Sequence, residues 1–344
     1  MMFIVQKFCL PLLVLAALAL APFAGAYPVF VMKVLCFALF ASAFNLLVGH
    51  AGLLSFGHAA FFGGAGYVAG HAMKVWGVTP ELGLVIGVFA SAALGLGMGV
   101  LAIRREGIYF AMVTLALAQM LYFVFLQMRF TGGEDGLQGI PRGKLFGLLS
   151  LDDDLTLYYT VLAIVVAAFA LIVRIVHSPF GELLNAVKEN EARAISLGYD
   201  ANRLKLLAFV LSAALSGLAG SLKVLVLGFE TLTDVHWSMS GMVILMTLVG
   251  GLGRHAGPAI GALVIVTIES KLGEIGGWLG DVTGIAWLRT IGDSVTVTTG
   301  LLFIIVVLFM RNGIAGASAD MVQRLRRSTK SATVAGEPAT MRSA

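Results

Sequence analysis

The segment GHAGLLSFGH sets two imidazoles, His50 and His58, and one hydroxyl, Ser55, among closely spaced glycines. Two histidines with no third ligand nearby fall short of the ligand set of a catalytic zinc site, so a polar cap or turn role suits them better than metal. No nucleophile with a convergent base is visible, which argues against a membrane enzyme. The phosphate-loop pattern G-x-x-x-x-G-K-[ST] is missing too: Gly143-Lys144 is followed by Leu145 and lacks the first glycine, so this chain cannot hydrolyse ATP alone. What remains is the glycine-rich run from Asn45 to Gly70, between two apolar stretches. Two readings stand side by side. In one, a helix breaks near residues 49–58, and Asn45, Gly52, Ser55, Gly57 and His58 border a translocation path, with free backbone groups and the Ser55 hydroxyl meeting a polar solute. In the other, the glycines only permit a tight turn with positive φ.

Two further stretches carry polar chemistry. TGGEDGLQGIP, Thr131 to Pro141, packs four glycines, a proline and two acids into eleven residues and cannot be a regular helix. It is either a compact turn-rich structure whose Thr131, Gly132, Gly133, Asp135 and Gly136 meet a partner, or a solvated connector. SPFGELLNAVKENEARAISLGYDANRLK reads as one amphipathic helix: Ser178 and Pro179 suit its first positions, Leu183, Leu184, Val187, Ala194 and Ile195 share a face, and Gly198 ends it. Its mixed charges, Glu182, Glu189 and Glu191 beside Lys188 and Arg193, favour docking into a partner's groove over lying on lipid, where Lys and Arg would dominate.

The elements that must position these groups follow from composition. Of 344 residues, 59% are hydrophobic and 12% charged, against about 25% charged in soluble domains. Lipid must therefore solvate much of the surface. A net charge of +4, scattered along the chain, gives no nucleic-acid footprint. The two cysteines, Cys9 and Cys36, lie in apolar runs and offer neither a disulfide framework nor a metal cluster. Charge-free runs at Phe8–Met32, Val34–Met73, Leu82–Ile103, Gly107–Met128, Leu155–Val173, Leu206–Leu222, Val235–Gly253, His255–Ile268 and Ser294–Met310 fit about ten crossings, eight or nine remaining open. The fold class is an all-α, polytopic integral membrane protein. Residues 1–316 form its membrane domain with a polar loop over 177–204, and 317–344 read as a disordered tail. The first run imitates a secretory signal ending at Ala24-Gly25-Ala26, but a single Lys7 makes a poor n-region, so a retained helix is expected.

Short-loop Lys and Arg place Arg174 to Lys205 and both termini in the cytoplasm, and the acidic loop Arg129 to Asp154 outside. Gly83 with Gly87, Gly95 with Gly99, Gly253 with Gly257 and Gly261, and Ser212 with Ser216 and Gly220 repeat at one helical turn and predict close helix packing. Lys33 and Lys223 fall near expected helix ends, where they can snorkel, and Glu269 ends a run. That leaves little for an ion-coupled carrier, which needs an ionisable group at membrane depth.

With these segments in view, the chain closely resembles the inner-membrane permeases of branched-chain amino acid ABC transporters, the LivM type. The resemblance runs through FNLLVGHAGLLSFGHAAFFGGAGYVAG, GIYFAMVTLALAQM with TGGEDGLQGIP, the polar helix and GMVILMTLVGGLGRHAGPAIGALVI, most of residues 44 to 265. It implies that the polar helix is the loop seated on the ATP-binding subunit, through Glu189, Glu191, Ala192 and Gly198, although Glu191 to Gly198 is one residue longer than the common pattern. It further implies cytoplasmic ATPase subunits that use the ATP, no cofactor bound by this chain, a second homologous permease, a periplasmic substrate-binding protein and a bacterial inner-membrane location. Related permeases carry urea, amides or other amino acids, so cargo stays open at this point.

Overall fold

The computed structural model describes residues 13–25, 27–147, 149–254, 256–283 and 313–316, with positions 297, 300, 301, 304 and 308. The run Ser294–Met310 lies largely outside them, and the tail 317–344 entirely so. The described chain is almost wholly helical, as the composition requires. Helix α1 spans Pro28–Asn45 and continues as a π-helical turn, Leu46–Ala51. Then come α2, His58–Lys74; α3, Pro80–Ala102; and α4, Ile108–Gln127. A polar stretch with two-residue strands β1 (Leu137–Gln138), β2 (Lys144–Leu145) and β3 (Leu149–Ser150) leads to α5, Asp154–Val176. Two short helices, α6 (Pro179–Glu189) and α7 (Glu191–Ser196), precede α8, Ala201–Leu227. Strand β4, Phe229–Glu230, is followed by α9, Trp237–Gly250, and α10, Gly257–Thr283.

Among the described residues five helices are long and apolar enough to cross a membrane: Pro28–Ala51, α3, α4, α5 and α8. The expected first crossing, Phe8–Met32, is divided: residues 13–20 are helical, a turn follows over 21–25, and α1 starts at Pro28 and runs straight through Lys33. A charge-free run is thus not the same as a helix. Lys33 stays inside α1 because Glu269 on α10 lies 3.5 Å from its ammonium.

Helix α1 is apolar on every side and is the buried centre of the bundle, with nearly every residue from Met32 to Asn45 shielded. Phe40 stacks on Phe62 of α2 at 4.4 Å between ring centres. Around it, α2, α3 and α8 approach closely because small residues face one another. A β-carbon added at Gly95 of α3 would stand 2.5 Å from that of Ala213 on α8, one at Gly83 2.7 Å from Met73, and one at Gly220 would meet the Phe62 carbonyl. The one-turn glycine spacing therefore works as expected, with one correction: Gly253 lies in the turn between α9 and α10 with φ +73°, so it is a turn residue and not part of a helix–helix glycine stripe. Helices α3 and α4 leave Phe89, Leu101, Ile108, Tyr109 and Met112 exposed on the outside of the bundle.

The bundle has two distinct ends. His58 meets Ser212 and Phe62 meets Gly220, so α2 and α8 run in the same direction, and α6–α7 lie at the end where both begin. Strand β4 lies where α8 finishes, paired antiparallel with β1, Leu137 opposite Glu230.

Candidate functional site

The helix break expected near 49–58 is present. The π turn closes on Gly52, whose φ of +72° is a left-handed value that glycine adopts without strain, and residues 52–57 form neither helix nor strand before α2 begins. Three backbone N–H groups here find side-chain oxygens, two of them on distant helices. Phe56 N–H donates to Thr114 Oγ1 at 3.2 Å, Gly57 N–H to Ser55 Oγ at 3.1 Å, and Ala59 N–H to Ser240 Oγ at 2.9 Å. The first turn of α2 is thus capped across the bundle, where no preceding helix carbonyl could serve.

Asn45 uses both ends of its amide: Oδ1 accepts from Gly253 N–H at 2.9 Å, and Nδ2 donates to the Arg254 carbonyl at 3.2 Å. It ties the end of α1 to the α9–α10 turn. His58 is fully buried, ringed by Phe44, Phe61 and Phe209. Ser212 donates to the Ala43 carbonyl at 2.6 Å, so its oxygen accepts from His58 Nε2 at 2.8 Å; the proton therefore sits on Nε2 and the buried Nδ1 is left without a partner. Ser55, Gly57 and His58 are enclosed by protein in this conformation, whereas Gly52 and Leu54 are exposed.

The polar helix is two helices. Asn190 leaves the helical region at φ −156°, and its side chain accepts from Arg193 N–H at 2.9 Å, capping α7. Asn competes with its own helix for backbone bonds and serves better as a cap, which the reading of a single helix overlooked. Pro179 opens α6 as expected, while the Ser178 hydroxyl turns back to the Ile175 carbonyl. The apolar face of α6 is spent inside the chain: Leu184 packs with Leu47, Ala51 and Leu53 of the break, and Val187 with Ala194 and Ala201. Burying a leucine in this way contributes about 1.5 to 3 kcal/mol. The exposed apolar residues lie further on, at Ile195, Leu197 (70% exposed) and Tyr199. Glu189 and Ala192 are exposed, and so is Gly198, which ends α7 at φ +91° with open space around it. Glu191 pairs at 2.6 Å with Lys205 of α8, which is 8% exposed, pinning α7 to the bundle.

At the other end, the segment from Thr131 is compact and docked, not a solvated connector. Thr131 is buried and its hydroxyl donates to carbonyls at the end of α4, Gly132, Gly133 and Gly136 take positive φ, and Leu137 and Ile140 are buried. Glu134 and Asp135 remain exposed. This segment covers a cluster that the sequence reading missed. Lys223 does not snorkel: its ammonium lies 3.2 Å from Glu230 Oε2 and pairs with Asp234, with side-chain exposures of 5% and 0% for Lys223 and Glu230. Gly66 of α2 leaves room for the carboxylate, since an added β-carbon would lie 2.8 Å from Glu230 Cδ. A lysine in an apolar helix with acids seven and eleven residues on was the available signal, because a charge at that depth needs a partner.

Residues 29–310 match the family described as the branched-chain amino acid transport system permease component. The chain belongs to that family. It is therefore a multi-pass membrane permease of the ABC transport class. The high-affinity branched-chain amino acid transport system permease protein LivM of Salmonella typhimurium is 30% identical to this permease over 250 residues, 64% of this chain and 58% of the relative. LivM of Escherichia coli is 29% identical over the same share. The ribose import permease protein RbsC of Bacillus subtilis is 26% identical over 209 residues, 59% of this chain and 64% of the relative. The matched part of the permease thus spans about three-fifths of the LivM proteins, and no solved structure matches it.

Proposed function

We propose that this chain is the transmembrane permease subunit of an ABC importer that carries branched-chain amino acids across a bacterial inner membrane. Separate cytoplasmic ATPase subunits hydrolyse the ATP, a second homologous permease completes the channel, and a periplasmic substrate-binding protein delivers the solute. The α6–α7 end faces the cytoplasm with both termini, and the docked Thr131–Pro141 segment faces outside, offering Glu134 and Asp135 to the binding protein. Residues 1–316 form the permease domain and 317–344 a cytoplasmic tail. Asn45, Ser55, Gly57 and His58 shape the helix break beside the solute route, and Gly52 is its accessible point.

The observation that carries this reading is the α6–α7 platform. Its own apolar face is consumed by the bundle, yet Ile195, Leu197 and Tyr199 stay exposed beside Glu189, Ala192 and Gly198. Apolar groups rimmed by polar ones mark a protein contact, and a chain without a phosphate loop needs an ATPase to touch. Leu197→Asp and Gly198→Trp should abolish copurification with the ATPase while membrane abundance holds; unchanged copurification in both removes the platform from the contact. The RbsC likeness makes a sugar the competing cargo. Uptake of labelled leucine and ribose by cells carrying the complete system decides between them, and ribose uptake without leucine uptake would overturn the amino acid reading.

A further inference from the structure

Helix α6 holds the broken helix by two kinds of contact. Leu184 supplies the apolar one. Lys188 supplies the other: its stem lies over Gly52, with Cγ 2.9 Å from where a β-carbon would stand, and its ammonium donates to the Gly49 carbonyl at 2.7 Å. Gly49 belongs to the last turn of the π segment, where carbonyls lack downstream helix donors and a cation is favoured. Gly49 is also wedged in place. A β-carbon there would stand 2.6 Å from Asn45 Oδ1 and 3.0 Å from Gly253 N, and Asn45 carries on to the α9–α10 turn. A pull on the Gly49 carbonyl is therefore passed to α1 and to that turn together.

We infer that Lys188 is the positioning residue that converts movement of α6 into movement of the broken helix. This rests on the reading of α6–α7 as the ATPase seat. Lys188 is exposed, so its bond adds little to folding and can form and break during a transport cycle. Leu184 alone would let α6 slide over an apolar surface, since such packing is non-directional, whereas the charged hydrogen bond fixes one atom to another.

The test uses the whole complex, with ATPase and binding protein, in proteoliposomes. Lys188→Met keeps the stem over Gly52 and removes the ammonium, Lys188→Arg keeps charge and reach, and Glu182→Gln, exposed on the same helix, is the control. Lys188→Met should assemble and hydrolyse ATP like the wild type but move about fivefold less solute per ATP, the size of a partly exposed charged bond; Lys188→Arg should largely restore the ratio. An unchanged ratio in Lys188→Met overturns the inference, as does loss of assembly in both variants, which would make Lys188 part of the seat. Amide hydrogen exchange over residues 46–54 of the purified permease tests the link without any ATPase: exchange should rise in Lys188→Met, and unchanged exchange overturns the link. Failure of the wild-type chain to recruit an ATPase would instead remove the proposed function, with the exchange result still deciding the link.

Discussion

At the β1–β4 end, Lys223, Glu230 and Asp234 are shut away from solvent under the Thr131–Pro141 segment, whereas at the α6–α7 end Lys188, Glu189 and Arg193 are exposed, Lys205 beside Glu191 being the buried exception. Both ends carry lysines and carboxylates, so residue type does not separate them. Burial does. In the closed cluster, each charge is costly unless all partners are present, which makes the end rigid. At the open end a charge can change partners at small cost, which suits a surface that must engage and release another protein.

The comparison can be broken most directly at the closed end. Lys223→Met leaves two carboxylates buried without a counter-charge and should cost about 3 to 5 kcal/mol, read as a shift in unfolding by sodium dodecyl sulfate in mixed micelles. Adding Glu230→Gln and Asp234→Asn removes every charge and should recover most of that loss. An equally unstable triple variant would mean that shape, not charge, holds this end.

Close packing between the two ends comes next. Gly220→Ala places a methyl group on the Phe62 carbonyl, and overpacking of this kind should cost about 1 to 3 kcal/mol in the same assay. A neutral result would show that α2 and α8 can part without loss. Asn45→Ala should cost about 1 to 3 kcal/mol, because Gly253 N–H and the Arg254 carbonyl both lose a partner. Protection of Gly253 N–H from hydrogen exchange checks it site by site, and unchanged protection would remove Asn45 from the junction. The smallest effect belongs to the open end: Arg203→Ala removes an ion pair with Asp200 in which the arginine is 85% exposed, and the change should stay within about 0.5 kcal/mol. A larger loss would erase the contrast between the ends.

The break near Gly52 and the Thr131–Pro141 turn were legible because glycine and proline constrain the backbone locally, whatever surrounds them. The division of the polar helix at Asn190 was partly legible, since asparagine is a cap former, but helical spacing on both sides masked it. Lys205 with Glu191 and Lys188 with Gly49 were not legible, because they join residues fourteen and 139 positions apart.

The sequence by itself determined that this is a helical membrane protein, that a helix breaks near Gly52 and which stretches are polar. These follow from residue type and short-range spacing, and from the cost of leaving backbone groups unpaired in lipid. Only the tertiary structure decided that Lys223 turns inward to two acids, that Asn45 grips the α9–α10 turn, and that α6 spends its apolar face on its own chain and leaves Ile195, Leu197 and Tyr199 for a partner. Which face is buried, and which charge meets which, depends on helices far apart in the chain, and no local pattern encodes that choice.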